Sequence, residues 1–249
     1  RRADTRCEMC GSANLKTKGS GTQQVEEEVE KLFPQARLLR MDRDSTSGKR
    51  GHQTIYEQFL SGQADILIGT QIVAKGLDFP NVTVVGVLNA DTELAFPSFR
   101  AGERMFQLLS QVAGRAGRAE KPGVVYVQTW KPDHPAIQCA KTHDFKAFAR
   151  HELANREMLH YPPYSRMVVF QFKSPSWSKV QTVADKFCDA MRMVTGDEPV
   201  MGPSPSVIEW MSGQHQWEAN IKLSRNFNAH AIEKLLIEIF EKYDSIKPK

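Results

Sequence analysis

The densest chemistry in this 249-residue sequence lies in Gln111-Val112-Ala113-Gly114-Arg115-Ala116-Gly117-Arg118. Arg115 and Arg118 are three apart, a spacing that puts both on one face of a helical turn. Each guanidinium is a planar fork of donors suited to phosphate oxygens. The small residues around them allow close packing against a partner surface. An arginine delivered from outside a nucleotide's primary pocket can stabilise charge on a phosphoryl group in transfer. The plainer reading is a solvated basic helix end, and the glycine spacing argues against it.

A second candidate is Ile68-Gly69-Thr70-Gln71-Ile72-Val73-Ala74-Lys75-Gly76-Leu77-Asp78-Phe79-Pro80. Gly69 and Gly76 permit backbone conformations and close approaches that other residues resist. Thr70 and neighbouring backbone N–H groups can grip a phosphate, and Asp78 can accept from a ribose hydroxyl or an arginine. An ordinary strand-to-helix turn is the alternative. The third candidate, Cys7-Glu8-Met9-Cys10-Gly11, has metal-ligand spacing. A zinc site needs four ligands and this knuckle offers two. The histidines are scattered, with no metal spacing near it.

Positioning these residues requires regular elements. Strand-like and helix-like segments alternate from residue 15 to about 130. Helices are expected at 22–33, 52–60 and 104–112, and strands at 36–41, 64–68, 82–88 and 123–130. Thr22 is a candidate cap for the first helix. The short β-branched strand runs suit strands covered on both faces. Such alternation predicts an α/β fold with a parallel sheet and helices on both sides. Residues 133–159 read as helical. The sequence His160-Tyr161-Pro162-Pro163-Tyr164 then breaks the helix.

Beyond that break the pattern changes. A strand at 166–172, a helix at 178–194, strands at 206–211 and 216–223, and a final helix at 230–243 make a β-α-β-β-α order. This is a split βαβ unit lacking its last strand. Trp217, Ala219, Ile221 and Leu223 alternate with Gln216, Glu218, Asn220 and Lys222, so the first set should be core and the second wet or against another surface. Both helices carry one apolar stripe and should share one face of the sheet. Trp177 and Trp210 are candidates for stacking on single-stranded bases, whereas Trp217 reads as core.

Taken together these motifs resemble those of superfamily 2 helicases. Residues 68–80 are similar to motif V, residues 111–118 to motif VI, and Lys18-Gly19-Ser20-Gly21-Thr22-Gln23-Gln24 to motif IV. The cysteine knuckle, Phe99-Arg100-Ala101-Gly102-Glu103-Arg104 and the Pro162-Pro163 break narrow the resemblance to PriA-type helicases. It implies a RecA-like second motor lobe followed by a smaller α+β domain. The expected divisions are 1–18, the end of a zinc-binding cysteine region; 19–133, the lobe; 134–163, a helical connector; and 164–249, the C-terminal domain. It also implies an ATP-dependent 3′ to 5′ DNA helicase that acts at stalled forks and starts primosome assembly.

Residue roles follow from the same resemblance. Arg115, Arg118 and Gln111 would serve catalysis, and Gly76, Asp78, Gly114 and Gly117 would lie against ATP with its magnesium. Gly21, Thr22, Thr70, Gln71 and Lys75 would contact DNA. Cys7 and Cys10 would bind zinc with cysteines outside this chain. The implied partners are forked and single-stranded DNA, primosome proteins and single-stranded DNA-binding protein.

Composition agrees with a globular, mildly basic protein: 41% hydrophobic residues, 25% charged and a net charge of +4. No apolar run approaches the roughly 20 residues of a membrane span. Four cysteines do not make a disulfide framework. Cys139 and Cys188 read as small core residues, and a bacterial cytoplasm with association to the nucleoid is expected. The sequence has no G-x-x-x-x-G-K-[ST]. Its Gly48-Lys49 pair follows Arg43 and precedes Arg50, and its Asp197-Glu198 pair continues into Pro199-Val200 rather than an Asp-Glu-x-His box. With no phosphate-binding lysine or magnesium carboxylate, the chain alone is expected to be inactive. It opens on Arg1 without methionine, so part of a longer protein is expected. Two alternatives remain: the lobe of another fork-remodelling translocase, and a non-catalytic binding module with a helicase-like lobe.

Overall fold

A computed structural model describes residues 21–42, 51–70, 79–114, 123–195, 200–226 and 229–242. The chain divides into two compact units. One comprises residues 1–95 and 103–143, the other 96–102 and 144–249.

In the first unit, helix α1 (Thr22–Leu32) leads to strand β1 (Leu38–Met41), then α2 (Gly51–Leu60) and β2 (Ile66–Gly69). Strands β1 and β2 pair in parallel, with Leu38 opposite Ile66 and Met41 opposite Gly69. Strand β3 (Val84–Val87) is followed by α3 (Asp91–Ala95), α4 (Ala101–Ala113) and β4 (Val124–Val127). Strands β3 and β4 form a second parallel pair. Parallel neighbours need a crossover, and α2 and α4 supply one for each pair. The α/β class with parallel strands is as expected. Covering of every strand on both faces is not, because Val84 is 61% and Tyr126 65% exposed on one side of the β3–β4 pair. Its alternate positions are half-buried.

Helix α4 is anchored by Met105, Phe106, Leu109 and Val112, all buried. Three of them recur at helical spacing, as periodicity requires. Helix α5 (Pro135–Lys141) follows, with Pro135 in its first turn and His134 Nδ1 accepting from the Ala136 N–H. The single helix expected over 133–159 is two. Thr142 ends α5, His143 takes a left-handed φ of 55°, and Asp144 caps the next helix by accepting from the Ala147 N–H.

The second unit contains α6 (Phe145–Met158), β5 (Ser165–Ser174), α7 (Trp177–Thr195), β6 (Val200–Met211), β7 (Gln214–Ser224) and α8 (Ala229–Lys242). The sheet order is β5-β7-β6, with β7 antiparallel to both neighbours. This is the split βαβ arrangement, and among the described residues β5 has one edge without a strand partner. Helix α7 packs Phe187, Cys188, Ala190 and Met191 against Ala219, Ile221 and Leu223 of β7, and Leu236 of α8 joins the same cluster. Both helices therefore lie on one face of the sheet, as their stripes require.

Strand β6 starts six residues before its expected position at 206 and runs through Pro203 and Pro205. Proline is tolerated because β6 is an edge strand, and its register shifts between Met201 and Ser204 and again between Pro205 and Trp210. Gly202 sits at the first shift with φ +96°, and a Cβ there would stand 3.0 Å from the Glu218 carbonyl oxygen. At the β6–β7 turn, Ser212 and Gly213 both have positive φ, the geometry that matches strand twist in a two-residue hairpin.

Candidate phosphate-contact sites

The carboxyl ends of β1 and β2 assemble the first candidate site. Met41 and Gly69 are in register, so Asp42 and Thr70 follow at the same end of the pair. Helix α1 returns its amino end to this place: the Thr22 hydroxyl donates to Asp42 Oδ2. Asp42 is buried. Arg40 Nε lies 3.2 Å from the same carboxylate oxygen, at ion-pair distance without hydrogen-bond alignment, while its Nη1 donates to Glu26 at 2.8 Å.

This geometry corrects the expected capping. Gly21, not Thr22, is the N-cap of α1, and no side chain caps the first turn. Thr22 is already helical, and its one hydroxyl proton goes to Asp42. A hydroxyl has a single donor. The Thr22 hydroxyl proton is therefore not available to a phosphate oxygen, whereas backbone N–H groups of this turn lie where the helix end carries partial positive charge. Thr70 is exposed at the bend after β2. Gly21, Thr22 and Thr70 are thus brought to one end of the strand pair.

Asp42 was not among the sequence candidates. Its signal was there: an acidic residue directly after the β-run Leu38-Leu39-Arg40-Met41, at the strand end where open parallel sheets bind ligands. Asp91 holds the corresponding end of β3–β4. Its carboxylate accepts from Thr129 Oγ1 at 3.1 Å and from the Trp130 N–H at 2.9 Å.

Gln111 and Gly114 stand at the end of α4. Gln111 is exposed, away from the buried Met105-Leu109-Val112 side. Gly114 is also exposed, and a Cβ there would meet only the Ser110 and Gln111 carbonyls at 3.6 Å, ordinary contact. The expected contacts at Gln71, Lys75, Gly76, Asp78, Arg115, Gly117 and Arg118, and the pair Cys7 and Cys10, lie outside the described residues. Among the described residues no group of His, Cys, Asp and Glu is arranged to hold a metal. The carbon-rich surroundings of Cys188 push its thiol up to about 11, mainly through burial. It behaves as a core residue.

In the second unit an open groove is lined by His160, Tyr164, Lys222, Ser224 and Arg225. Trp217 is buried, as alternation predicts, while Trp177 and Trp210 remain 38% and 53% exposed. Both meet His215 edge-on, at 5.3 Å and 4.5 Å between centroids. The polar face of β7 is less open than expected. Gln216 is buried, and Lys222 Nζ donates to the Leu159 carbonyl at 2.8 Å. No helix among the described residues is long and apolar enough to cross a membrane.

Residues 18–120 match the helicase conserved C-terminal domain, and residues 157–247 match the primosomal protein N C-terminal domain. Replication restart protein PriA of Bacillus subtilis is 44% identical over 237 residues, covering 95% of this chain and 29% of the relative. The protein of that name in Synechocystis is 41% identical over 219 residues, covering 87% and 26%. That of Borreliella burgdorferi is 34% identical over 237 residues, covering 95% and 35%. The chain therefore spans about a third or less of the length of these relatives. With a helicase C-terminal lobe and the PriA-specific domain in tandem, it belongs to the PriA family.

Proposed function

We propose that this chain is the second motor lobe and C-terminal DNA- and partner-binding domain of an ATP-dependent 3′ to 5′ DNA helicase acting in replication restart. In this reading the longer protein recognises stalled forks and starts primosome assembly. The observation that carries it is the gathering of Gly21, Thr22 and Thr70 at the carboxyl ends of β1 and β2 in a family whose relatives are named replication restart proteins. Backbone N–H groups at that end receive DNA phosphates, with Gln71 and Lys75 completing the contact.

Arg115 and Arg118, with Gln111, act on ATP and its magnesium from across the cleft. Gly76, Asp78, Gly114 and Gly117 lie against the nucleotide. The phosphate-binding lysine and magnesium carboxylates come from a lobe outside this sequence. Cys7 and Cys10 bind zinc together with further cysteines from outside this sequence. Forked and single-stranded DNA, primosome proteins and single-stranded DNA-binding protein are the partners, in the bacterial cytoplasm at the nucleoid.

A steady-state ATPase assay of the purified chain with single-stranded DNA tests this division of labour. No DNA-stimulated turnover is expected. Turnover near one per second would show that the chain contains a complete site and overturn the reading.

A further inference from the structure

Four polar side chains close a circuit between α1 and β1 in the first unit. Thr22 and Glu26 are four apart on α1, the spacing of neighbours on one side of a helix. Arg40 lies in β1 and Asp42 directly after it, two residues on, the spacing that keeps side chains on one face of a strand. The Thr22 hydroxyl donates to Asp42 Oδ2. Arg40 Nη1 donates to Glu26 Oε2 at 2.8 Å, and its Nε lies 3.2 Å from Asp42 Oδ2. Asp42 is only 6% exposed.

Helix α1 depends on these links for its placement, because none of its side chains is fully buried. Two roles compete for the Thr22 hydroxyl. It can donate to a DNA phosphate, or it can donate to Asp42, and it has one proton for both. The structure shows the second bond. Diverting the proton would cost a buried carboxylate a charge-assisted hydrogen bond, about twice as strong as a neutral one. A hydroxyl whose proton is engaged presents lone pairs, which repel a phosphate oxygen.

We propose that Asp42 is a positioning residue for DNA. It holds Thr22 by its hydroxyl, and so fixes the amino end of α1, which no side chain caps, at the carboxyl end of the β1–β2 pair. The backbone N–H groups of that turn, and not the Thr22 hydroxyl, then meet the phosphate. Arg40 offsets the charge of Asp42, which would otherwise repel an anion bound beside it. What matters in Asp42 is therefore its accepting oxygen and not its negative charge. The inference rests on the reading above, in which this end of the strand pair receives DNA phosphates.

The test measures affinity for a single-stranded oligonucleotide by fluorescence anisotropy, on the full-length protein containing this chain. The variants are Asp42→Ala, Asp42→Asn, Thr22→Val, Thr22→Ser and the double Asp42→Ala/Thr22→Val, compared at a temperature where thermal unfolding shows each to be folded. Asp42→Leu, which fills the site without an acceptor, replaces Asp42→Ala if the alanine variant does not fold. Asp42→Ala and Thr22→Val should each weaken binding about tenfold, within the range for residues sharing one hydrogen bond. The double variant should be no weaker than either, because both changes break the same bond. Asp42→Asn keeps an acceptor and Thr22→Ser keeps the donor, so both should stay within about twofold of wild type. If the Thr22 hydroxyl itself contacts phosphate, Asp42→Ala releases its proton and tightens binding while Thr22→Val weakens it, and that opposition overturns the proposal. Additive losses in the double variant, or wild-type affinity in both single variants, also overturn it and leave the helicase reading standing. A wild type that does not bind single-stranded DNA overturns that reading itself, and this inference with it.

Discussion

The two units differ in what their conspicuous residues are for. In the second unit they are consumed by the fold. Gly202 is where a Cβ would press on the Glu218 carbonyl, Trp217 and Cys188 are buried, and the polar Lys222 is tied to Leu159. In the first unit Thr22 is bonded to Asp42, but several other conspicuous residues stand at the surface. Gly114 would accept a Cβ at ordinary distance, and Gln111 and Thr70 are exposed. A residue type that the chain's own packing does not require points to a requirement outside the chain.

The sharpest way to break the comparison is at the arginines. In the full-length protein, Arg118→Ala should lower kcat roughly 10³-fold, the low end for an arginine acting on phosphoryl-transfer charge. KM for ATP should change far less, because the interaction is made mainly in the transition state. Thermal stability should be unaffected. Normal kcat with weakened ATP binding would reassign Arg118 to the ground state and remove the first unit's side of the contrast.

Two glycine substitutions then set the units against each other. Gly202→Ala forces a side chain into φ +96° and toward a backbone oxygen at 3.0 Å. It should cost about 1–3 kcal/mol, the usual range for such backbone strain. Gly114→Ala should leave stability within about 0.5 kcal/mol, as for surface changes without a structural role. Its ATP turnover in the full-length protein should nevertheless drop roughly tenfold to a hundredfold, since small displacements at a reacting centre carry such costs. Urea unfolding of the chain and ATPase assays of the longer protein measure the two effects. The reverse pattern, with Gly114 structural and Gly202 silent, would dissolve the contrast.

Much of the fold was legible because burial follows period. Met105, Leu108, Leu109 and Val112 share one side of the expected helix and all but the half-buried Leu108 are buried, and the alternation from Gln216 to Leu223 announced β7. What was illegible depended on partners distant in sequence. Thr22 has the chemistry of a cap, and only the fold brings Asp42 to its hydroxyl. The prolines at 203 and 205 read as a loop, because nothing local marks β6 as an edge where they cost no ladder bond. Phe99 looked like part of the motor segment, and its partner Tyr161 lies beyond three helices and a strand. Of the candidate site, Gly21, Thr22 and Thr70 were singled out by motif alone, and only the fold brings them to one end of the strand pair. Asp42 was missed because one carboxylate after a strand is a weak signal until its partners are known.

The smallest expected effect probes the first unit at the opposite end of its strand pair from Gly21, Thr22 and Thr70. Asp65 immediately precedes β2, and its carboxylate accepts from Arg37 Nη2 at 2.7 Å, from Nε at 3.0 Å and from the Arg37 backbone N–H at 2.9 Å. These bonds, led by the side-chain pair, hold the carboxyl down to about 2. The folded state thus binds this proton less readily than the unfolded chain, where an aspartate titrates near about 3.9. The resulting stabilisation is fully present above that value and disappears as pH falls through about 2. Both side chains are well exposed, at 58% for Arg37 and 46% for Asp65, so solvent and salt screen the pair. Urea midpoints compared at pH 5 and pH 2.5 should fall slightly more for wild type than for Asp65→Asn, and the difference should shrink in 1 M salt. An Asp65→Asn variant with the same acid limb as wild type would show that the pair makes no pH-linked contribution.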